Sequence, residues 1–331
     1  GWGTPEARPL GDVTVEQLRG MTFAAGSMGP KVEAVCRFVE AGGLRFHVAF
    51  AGDEQAPPLV LLHGWPQHWW MWRKVLPELS RTYRCILPDL RGLGWTDAPP
   101  SGYDKPQLAR DVMALMDELG LEKVRMIGHD WGAMTAGNVA REAPERVSKA
   151  LILSVPHPHD TRPDPRQLLG LAHMPFLSAP FADRLVPQIA WQLLKLSGFS
   201  REDAEPYLEV LRQPERSKAT VGYYRTFLTR EMPGLVAHPP KEPDVPLKYV
   251  GGASDPVCRF SPSLEFVRGA GHFLPEDKPD AVIGHAEVLV VGNAAPEFRD
   301  IPARLSEDQS VVDLVRITDS KSVAGVYEGI S

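Results

Sequence analysis

Short apolar runs with strand character and longer stretches with helical periodicity succeed one another through the first half of the chain. Val35–Glu40 and Leu44–Phe50 read as two strands joined by the turn signal Ala41-Gly42-Gly43, an opening hairpin. Pro58–Leu62 and Cys85–Pro88 are continuous apolar runs, as expected of parallel strands buried on both faces. Each breaks into a Gly-punctuated loop: His63-Gly64-Trp65-Pro66 after the first, Asp89-Leu90-Arg91-Gly92-Leu93-Gly94 after the second. From Pro106 onward, Leu108, Val112, Leu115, Met116 and Leu119 fall three and four apart and make one face of a helix that Gly120 ends. Val124–Ile127 is then a strand, Trp131–Ala143 a helix and Ala150–Val155 a strand. The alternation predicts an α/β fold, a mostly parallel central sheet with helices on both faces.

Between Pro156 and Pro240 the strand pattern gives way to proline-punctuated helical segments at Gln167–His173, Asp183–Leu196, Arg201–Leu211 and Ser217–Thr229. Strands return at Leu247–Gly251 and Leu264–Val267, so the helical block is an insertion, a cap on the α/β core. The organisation expected is an N-terminal arm over 1–35, with a short helix at Val13–Arg19, and a core over 36–156 and 241–285. The cap spans 157–240, and a C-terminal extension over 286–331 is strand-like at Val288–Val291 and mixed at Val311–Val315. The extension has no functional reading; packing on the sheet edge and contact with a second subunit of a homodimer are both open.

Composition narrows the class. The 331 residues are 43% hydrophobic and 24% charged, enough for a large core. No window approaches the roughly 18 consecutive apolar residues of a membrane helix, and the first residues lack a secretory apolar stretch, so a soluble, cytoplasmic protein is expected. The net charge of −6 comes without a Lys/Arg stripe, which argues against nucleic acid and anionic lipid as partners and for a small neutral substrate. Cys36, Cys85 and Cys258 are widely spaced, with no ligand spacing, so free thiols and no metal are expected.

Gly128-His129-Asp130-Trp131-Gly132 sits between a strand and a helix rich in small residues, the context of a nucleophile elbow. The nucleophile position holds Asp130. A carboxylate is ionised at neutral pH, so it attacks an sp³ carbon without a base to activate it, giving an ester that a second step must hydrolyse. Taken alone, Gly-x-Asp-x-Gly also fits an ordinary surface turn. Partners follow in the order acid, histidine: Asp255 after Gly251-Gly252-Ala253-Ser254, and His272 in Gly269-Ala270-Gly271-His272-Phe273. An Asp-Pro turn and a loop histidine are the bland readings of these two.

Together these segments resemble the α/β-hydrolase-fold epoxide hydrolases, over roughly residues 36–283. His63-Gly64-Trp65-Pro66, Asp89-Leu90-Arg91-Gly92 with Gly94, Gly128–Gly132, Val155-Pro156-His157-Pro158 and Gly271-His272-Phe273-Leu274-Pro275-Glu276 carry the resemblance. It implies that Trp65 and Trp131 supply backbone N–H groups to an oxyanion hole, that Pro66 follows a cis peptide, and that no cofactor is needed. It also implies a cap tyrosine that binds the epoxide oxygen; Tyr223-Tyr224-Arg225 matches that segment, with Tyr224 the donor. Relatives usually carry a second tyrosine earlier in the cap. None lies between Tyr103 and Tyr207, and the match is His173, as in a His/Tyr subgroup.

The reaction implied is hydrolysis of a small apolar epoxide to a vicinal diol. Asp130 forms an alkyl ester that water, deprotonated by His272 with Asp255 as its orienter, then cleaves. Trp65, Trp69, Trp131 and Phe273 are expected near the substrate, with Trp191 a further cap candidate. A haloalkane dehalogenase, sharing the nucleophile and the Asp/His pair, is the nearest rival; a non-catalytic ligand-binding protein on the same scaffold is another. An esterase is disfavoured by Asp at the elbow. The chain departs from the family in the short interval from Asp255 to His272, which lacks a helix; if it displaced Asp255, Asp160 would be the substitute acid. The extension after Asp280 is the other departure.

Overall fold

The computed structural model describes residues 34–160, 170–286, 289–291, 310–313 and 326–329. The expected helix at Val13–Arg19 and most of the arm lie outside the described residues. Two compact units are present, Gly1–Pro279 and Asp280–Ser331.

In the first unit, eight strands run β1 (Val35–Ala41), β2 (Leu44–Ala51), β3 (Pro58–Leu62), β4 (Arg84–Pro88), β5 (Val124–His129), β6 (Val147–Leu153), β7 (Leu247–Gly252) and β8 (Glu265–Val267). They form one sheet in the order β1-β2-β4-β3-β5-β6-β7-β8. The opening hairpin pairs antiparallel, β2 joins β4 antiparallel, and every later pairing is parallel. This is the mostly parallel sheet of an α/β-hydrolase fold. Leu59–Leu62 and Cys85–Leu87 are buried throughout, which explains why these strands read as continuous apolar runs rather than alternating ones.

Helix α1 (Lys105–Glu118) buries Leu108, Val112, Leu115 and Met116, and Asp104 caps it by accepting the Gln107 N–H at 3.0 Å. Helix α2 (Trp131–Glu142) lays Ala133, Ala136, Val139 and Ala140 on the sheet; small side chains there let the helix approach its strand closely.

Between β6 and β7 lies the helical insertion: α3 (His173–Ser178), α4 (Val186–Leu196), α5 (Arg201–Leu211), α6 (Pro214–Thr226) and α7 (Met232–Ala237). Arg201–Leu211 takes the limits the sequence predicts. The last expected helix begins earlier, because Pro214 suits a first helical turn, and it ends in a π-helical turn over Phe227–Glu231. Leu177, Val186, Ala190, Leu194 and Ala204 are buried within the cap, while Tyr207 and Tyr223 face the core, against His68 and against Tyr103 and Trp131.

The second unit carries β9 (Leu289–Val291), β10 (Ser310–Asp313) and β11 (Val326–Gly329), a parallel three-stranded sheet in the order β11-β10-β9. The extension thus contains a strand at the strand-like segment Val288–Val291, a second that overlaps the mixed segment Val311–Val315, and a third at Val326–Gly329 that the apolar pattern did not mark.

Candidate active site

The site gathers at the carboxyl ends of β3, β5, β7 and β8, where loops leave a parallel sheet. Asp130 terminates β5 with φ 52° and ψ −118°, a strained left-handed conformation for a residue other than glycine. Its neighbours show why glycines flank it. A methyl group on Gly132 would overlap the Leu62 carbonyl oxygen, one on Gly128 would overlap the Gly132 carbonyl oxygen, and one on Gly64 would overlap Asp130 itself. The glycines admit three segments to a space that side chains would close.

Asp130 Oδ2 accepts the backbone N–H of Trp65 at 3.0 Å. Burial raises the pKa of Asp130, opposed by the charge of His272 and by the N–H groups of Trp131 and Trp65. The two expected oxyanion donors thus face one carboxylate. The Trp65–Pro66 peptide is cis. His63 ties this loop to the next: its Nδ1 donates to the Gly64 carbonyl at 3.1 Å, and its Nε2 accepts the Leu90 N–H at 2.9 Å. Asp89, fully buried, accepts the N–H groups of Trp69 and Trp95 at 2.8 and 3.1 Å and bonds His47 Nδ1 at 2.8 Å. These bonds explain the Gly-punctuated Asp89 loop as scaffolding for the His63-Gly64-Trp65-Pro66 loop.

His272 Nδ1 donates to Asp255 Oδ2 at 3.0 Å. Asp255 is buried and also accepts the Val257 N–H at 2.8 Å and the Cys258 thiol at 3.0 Å. Burial alone would raise the pKa of Asp255; the charge and hydrogen bond of His272, with the Cys258 and Val257 donors, hold it below the usual carboxylate value. For His272, burial acts downward, but the charge and hydrogen bond of Asp255, with the Asp130 charge, raise it to about 9. The His272 carbonyl is pinned by Ser154 Oγ at 2.7 Å and His129 Nε2 at 2.8 Å. No helix intervenes between β7 and β8; successive turns bonded Arg259 N–H to Asp255 O and Ser261 N–H to Cys258 O fill the interval. Asp160 is engaged elsewhere, by the hydroxyls of Ser261 and Ser263.

The cap lowers Tyr224 and His173 over this floor. Tyr224, 2% exposed, sets its ring 5.4 Å from Trp65, 5.2 Å from Trp131 and 5.6 Å from His173. Burial and the Asp130 charge push its hydroxyl pKa well above the ordinary tyrosine value. His173 stacks on Trp65 at 6.5 Å, and its Nδ1 donates to the Gly170 carbonyl at 3.0 Å. Its pKa is lowered to about 4 by burial, so the ring is neutral at pH 7 and the Nδ1–H tautomer leaves Nε2 as an acceptor. Phe273 packs beside His272 at 5.2 Å and against the cap's Phe199 at 5.2 Å. The ring of Trp191 lies under the Arg201 guanidinium at 4.8 Å, and the ring of Trp69 meets Trp70 and His47. Among the described residues no group of His, Cys, Asp and Glu is placed to hold a metal ion.

A family model described as alpha/beta hydrolase fold matches residues 57–174. The soluble epoxide hydrolase of Corynebacterium sp. strain C12 is 34% identical over 269 residues, 74% of this chain and 93% of that protein. The chain belongs to the α/β-hydrolase-fold epoxide hydrolases. Human epoxide hydrolase 4 is 32% identical over 273 residues, covering 74% of this chain and 75% of that protein. Among solved structures, the ligand-free epoxide hydrolase CorEH superposes with a TM-score of 0.67 at 33% identity, over 77% of this chain and 97% of that one. The family assignment makes this chain a hydrolase, and the sequence matched by these relatives leaves part of the chain uncovered.

Two contributors escaped the sequence reading. Cys258 was expected only as a free thiol and donates to the acid of the pair. Lys105, the first residue of α1, is buried with its ammonium 4.1 Å from the centre of the Trp131 ring. Neither carries a motif; only the folded neighbourhood marks them.

Proposed function

We propose that this epoxide hydrolase works through an Asp130 ester. Asp130 attacks a ring carbon; the electrons of the breaking C–O bond go to the epoxide oxygen, which takes a proton from Tyr224. The ester carbonyl then lies against the N–H groups of Trp65 and Trp131. Ester formation removes the Asp130 charge that helps raise the His272 pKa, and the imidazolium passes its proton through solvent to the Tyr224 phenolate. The neutral ring then takes a proton from a water that adds to the ester carbonyl, the oxyanion being stabilised by the same two N–H groups. Collapse releases a vicinal diol and restores the carboxylate beside a protonated His272. The observation that carries this reading is the meeting at Asp130 of a strained carboxylate, the Trp65 N–H, and the opposed charge of His272, with Tyr224 above.

His173 is proposed as the second polar group of the cap. With Nδ1 donating to Gly170, it receives a hydrogen bond, from the Tyr224 hydroxyl or a substrate hydroxyl; donating to the epoxide oxygen requires a proton on Nε2. The substrate is small and apolar, matched to the indoles of Trp65 and Trp131 and the ring of Phe273. A soluble cytoplasmic location accords with helices none of which, among the described residues, is long and apolar enough to cross a membrane.

A second reading has one observation in its favour: the indole N–H of Trp131 is buried without an acceptor, as a halide site would need. Incubation with styrene oxide and with 1-bromobutane separates the two. Diol without bromide is expected; bromide without diol would reject the epoxide reading.

A further inference from the structure

We infer that Lys105, acting through the indole of Trp131, makes Tyr224 a better proton donor and is a positioning residue for epoxide opening. The inference rests on the role of Tyr224 proposed above.

Tyr224 has a difficulty as an acid. Its hydroxyl is buried, and the Asp130 carboxylate acts on it, so a phenolate there is disfavoured on both counts. Yet the proton must leave as the C–O bond breaks, transferring from Tyr224 to the epoxide oxygen while Asp130 bonds to carbon. Something must favour the phenolate that remains until solvent returns the proton from His272.

The indole of Trp131 is the group so placed. Its N–H is buried with no acceptor in good hydrogen-bond geometry, and it acts on the Tyr224 hydroxyl in the direction that favours the anion. Ionisation of Tyr224 would give that N–H a charged acceptor in place of a neutral one. Behind the indole, on its face, lies Lys105 Nζ, 4.1 Å from the ring centre, within cation–π range. The cation draws electron density toward itself and so strengthens the N–H as a donor.

A lysine in this place is costly. Lys105 is 2% exposed and sits in the first turn of a helix, where the backbone dipole also opposes a positive charge. Burial lowers its pKa, and Glu231 opposes that. The compensation is specific: Glu231 Oε2 accepts Nζ at 2.8 Å while Oε1 accepts the Lys105 backbone N–H at 2.7 Å. Glu231 lies in the π-helical turn directly after the helix that carries Tyr224. Lys105 therefore connects the core beneath Trp131 with the cap element that holds the donor. Phe227 closes the remaining side, 5.1 Å from the ammonium.

The test separates electrostatics from packing by reading the two half-reactions. Trp131 also supplies a backbone N–H to ester hydrolysis, so disorder of its ring would slow both steps, whereas loss of phenolate stabilisation would slow only the first. Rapid-quench measurement with styrene oxide gives the rates of ester formation and ester hydrolysis for the wild type, Lys105→Met/Glu231→Gln, and Lys105→Arg. Expected is a fall of at least tenfold in ester formation in the double variant, hydrolysis within about twofold of wild type, and recovery of most of the loss in Lys105→Arg. Trp131→Phe, which keeps the backbone N–H and the ring, should show the same selective loss and serves should the double variant fail to fold. Unchanged ester formation, equal slowing of both steps, or a Lys105→Arg rate as low as the double variant's would overturn the inference. Failure of the wild type to form any ester on Asp130 would instead overturn the underlying function.

Discussion

His272 Nδ1 meets Asp255 Oδ2 at 3.0 Å although they stand 17 positions apart, with only turns and a three-residue strand between them. The parallel register of Gly252 with Val267 brings the two strand ends level, so the helix that a longer connection would need contributes nothing to the distance. Asp255→Asn should therefore cut turnover by at least tenfold, with the hydrolysis step bearing the loss. Accumulated ester, seen as added mass on the intact protein, checks it.

The same pair makes stability depend on pH. His272 has a folded pKa of about 9 against 6.5, so its contribution is fully present below about pH 6.5 and disappears as pH rises through 9. Asp255, held low, contributes above its ordinary value of 3.8 and loses that contribution as pH falls through its depressed one. The His272 shift corresponds to roughly 3 kcal/mol. The Tm gap between wild type and Asp255→Asn should be large at pH 6 and narrow by pH 10; a gap that widened toward pH 10 would contradict the assignment.

Replacing the base should trap the intermediate. In His272→Gln, Asp130 still attacks, and one equivalent of styrene oxide should remain bound, located on Asp130 by peptide mass mapping. Diol formation should fall by about 10³-fold or more. Asp130→Asn should form no adduct.

Tyr224→Phe and His173→Phe are expected to part company. The first removes the acid and should slow ester formation on the order of 10²-fold. The second removes an acceptor stacked on Trp65 and should raise KM with a loss in kcat below tenfold. Stopped-flow tryptophan fluorescence, following Trp65 and Trp131 as the ester forms, distinguishes them.

Gly132→Ala should destabilise the fold by about 3 kcal/mol, since its methyl group has no room against the Leu62 carbonyl and β3 must shift. Chemical denaturation monitored by circular dichroism measures it.

Much of this was legible in the sequence because it is local. Pro58–Leu62 and Arg201–Leu211 emerged as read, since burial on both faces and helical spacing leave direct marks on the apolar pattern. Asp130, Asp255 and His272 were legible through the glycines and strand ends beside them. What stayed hidden is what depends on partners distant in sequence. Lys105 is an ordinary first-turn residue until Glu231, 126 positions away, surrounds it. The Arg201 guanidinium over the Trp191 ring leaves no mark on the apolar pattern either. The start of the last large cap helix, at Pro214, was placed late because apolar periodicity is weak over a segment where Arg216, Ser217 and Thr220 are themselves buried.

Glu276 lies in the turn directly after His272; it takes the Tyr207 hydroxyl at 3.0 Å and Lys74 at 3.2 Å, and pairs with Arg73. Tyr207 belongs to the cap, Arg73 and Lys74 to the core. Tyr207 thus fastens the cap to the segment that follows His272, and a ligand that seats the cap should slow hydrogen exchange at the amides of Leu274 to Lys278.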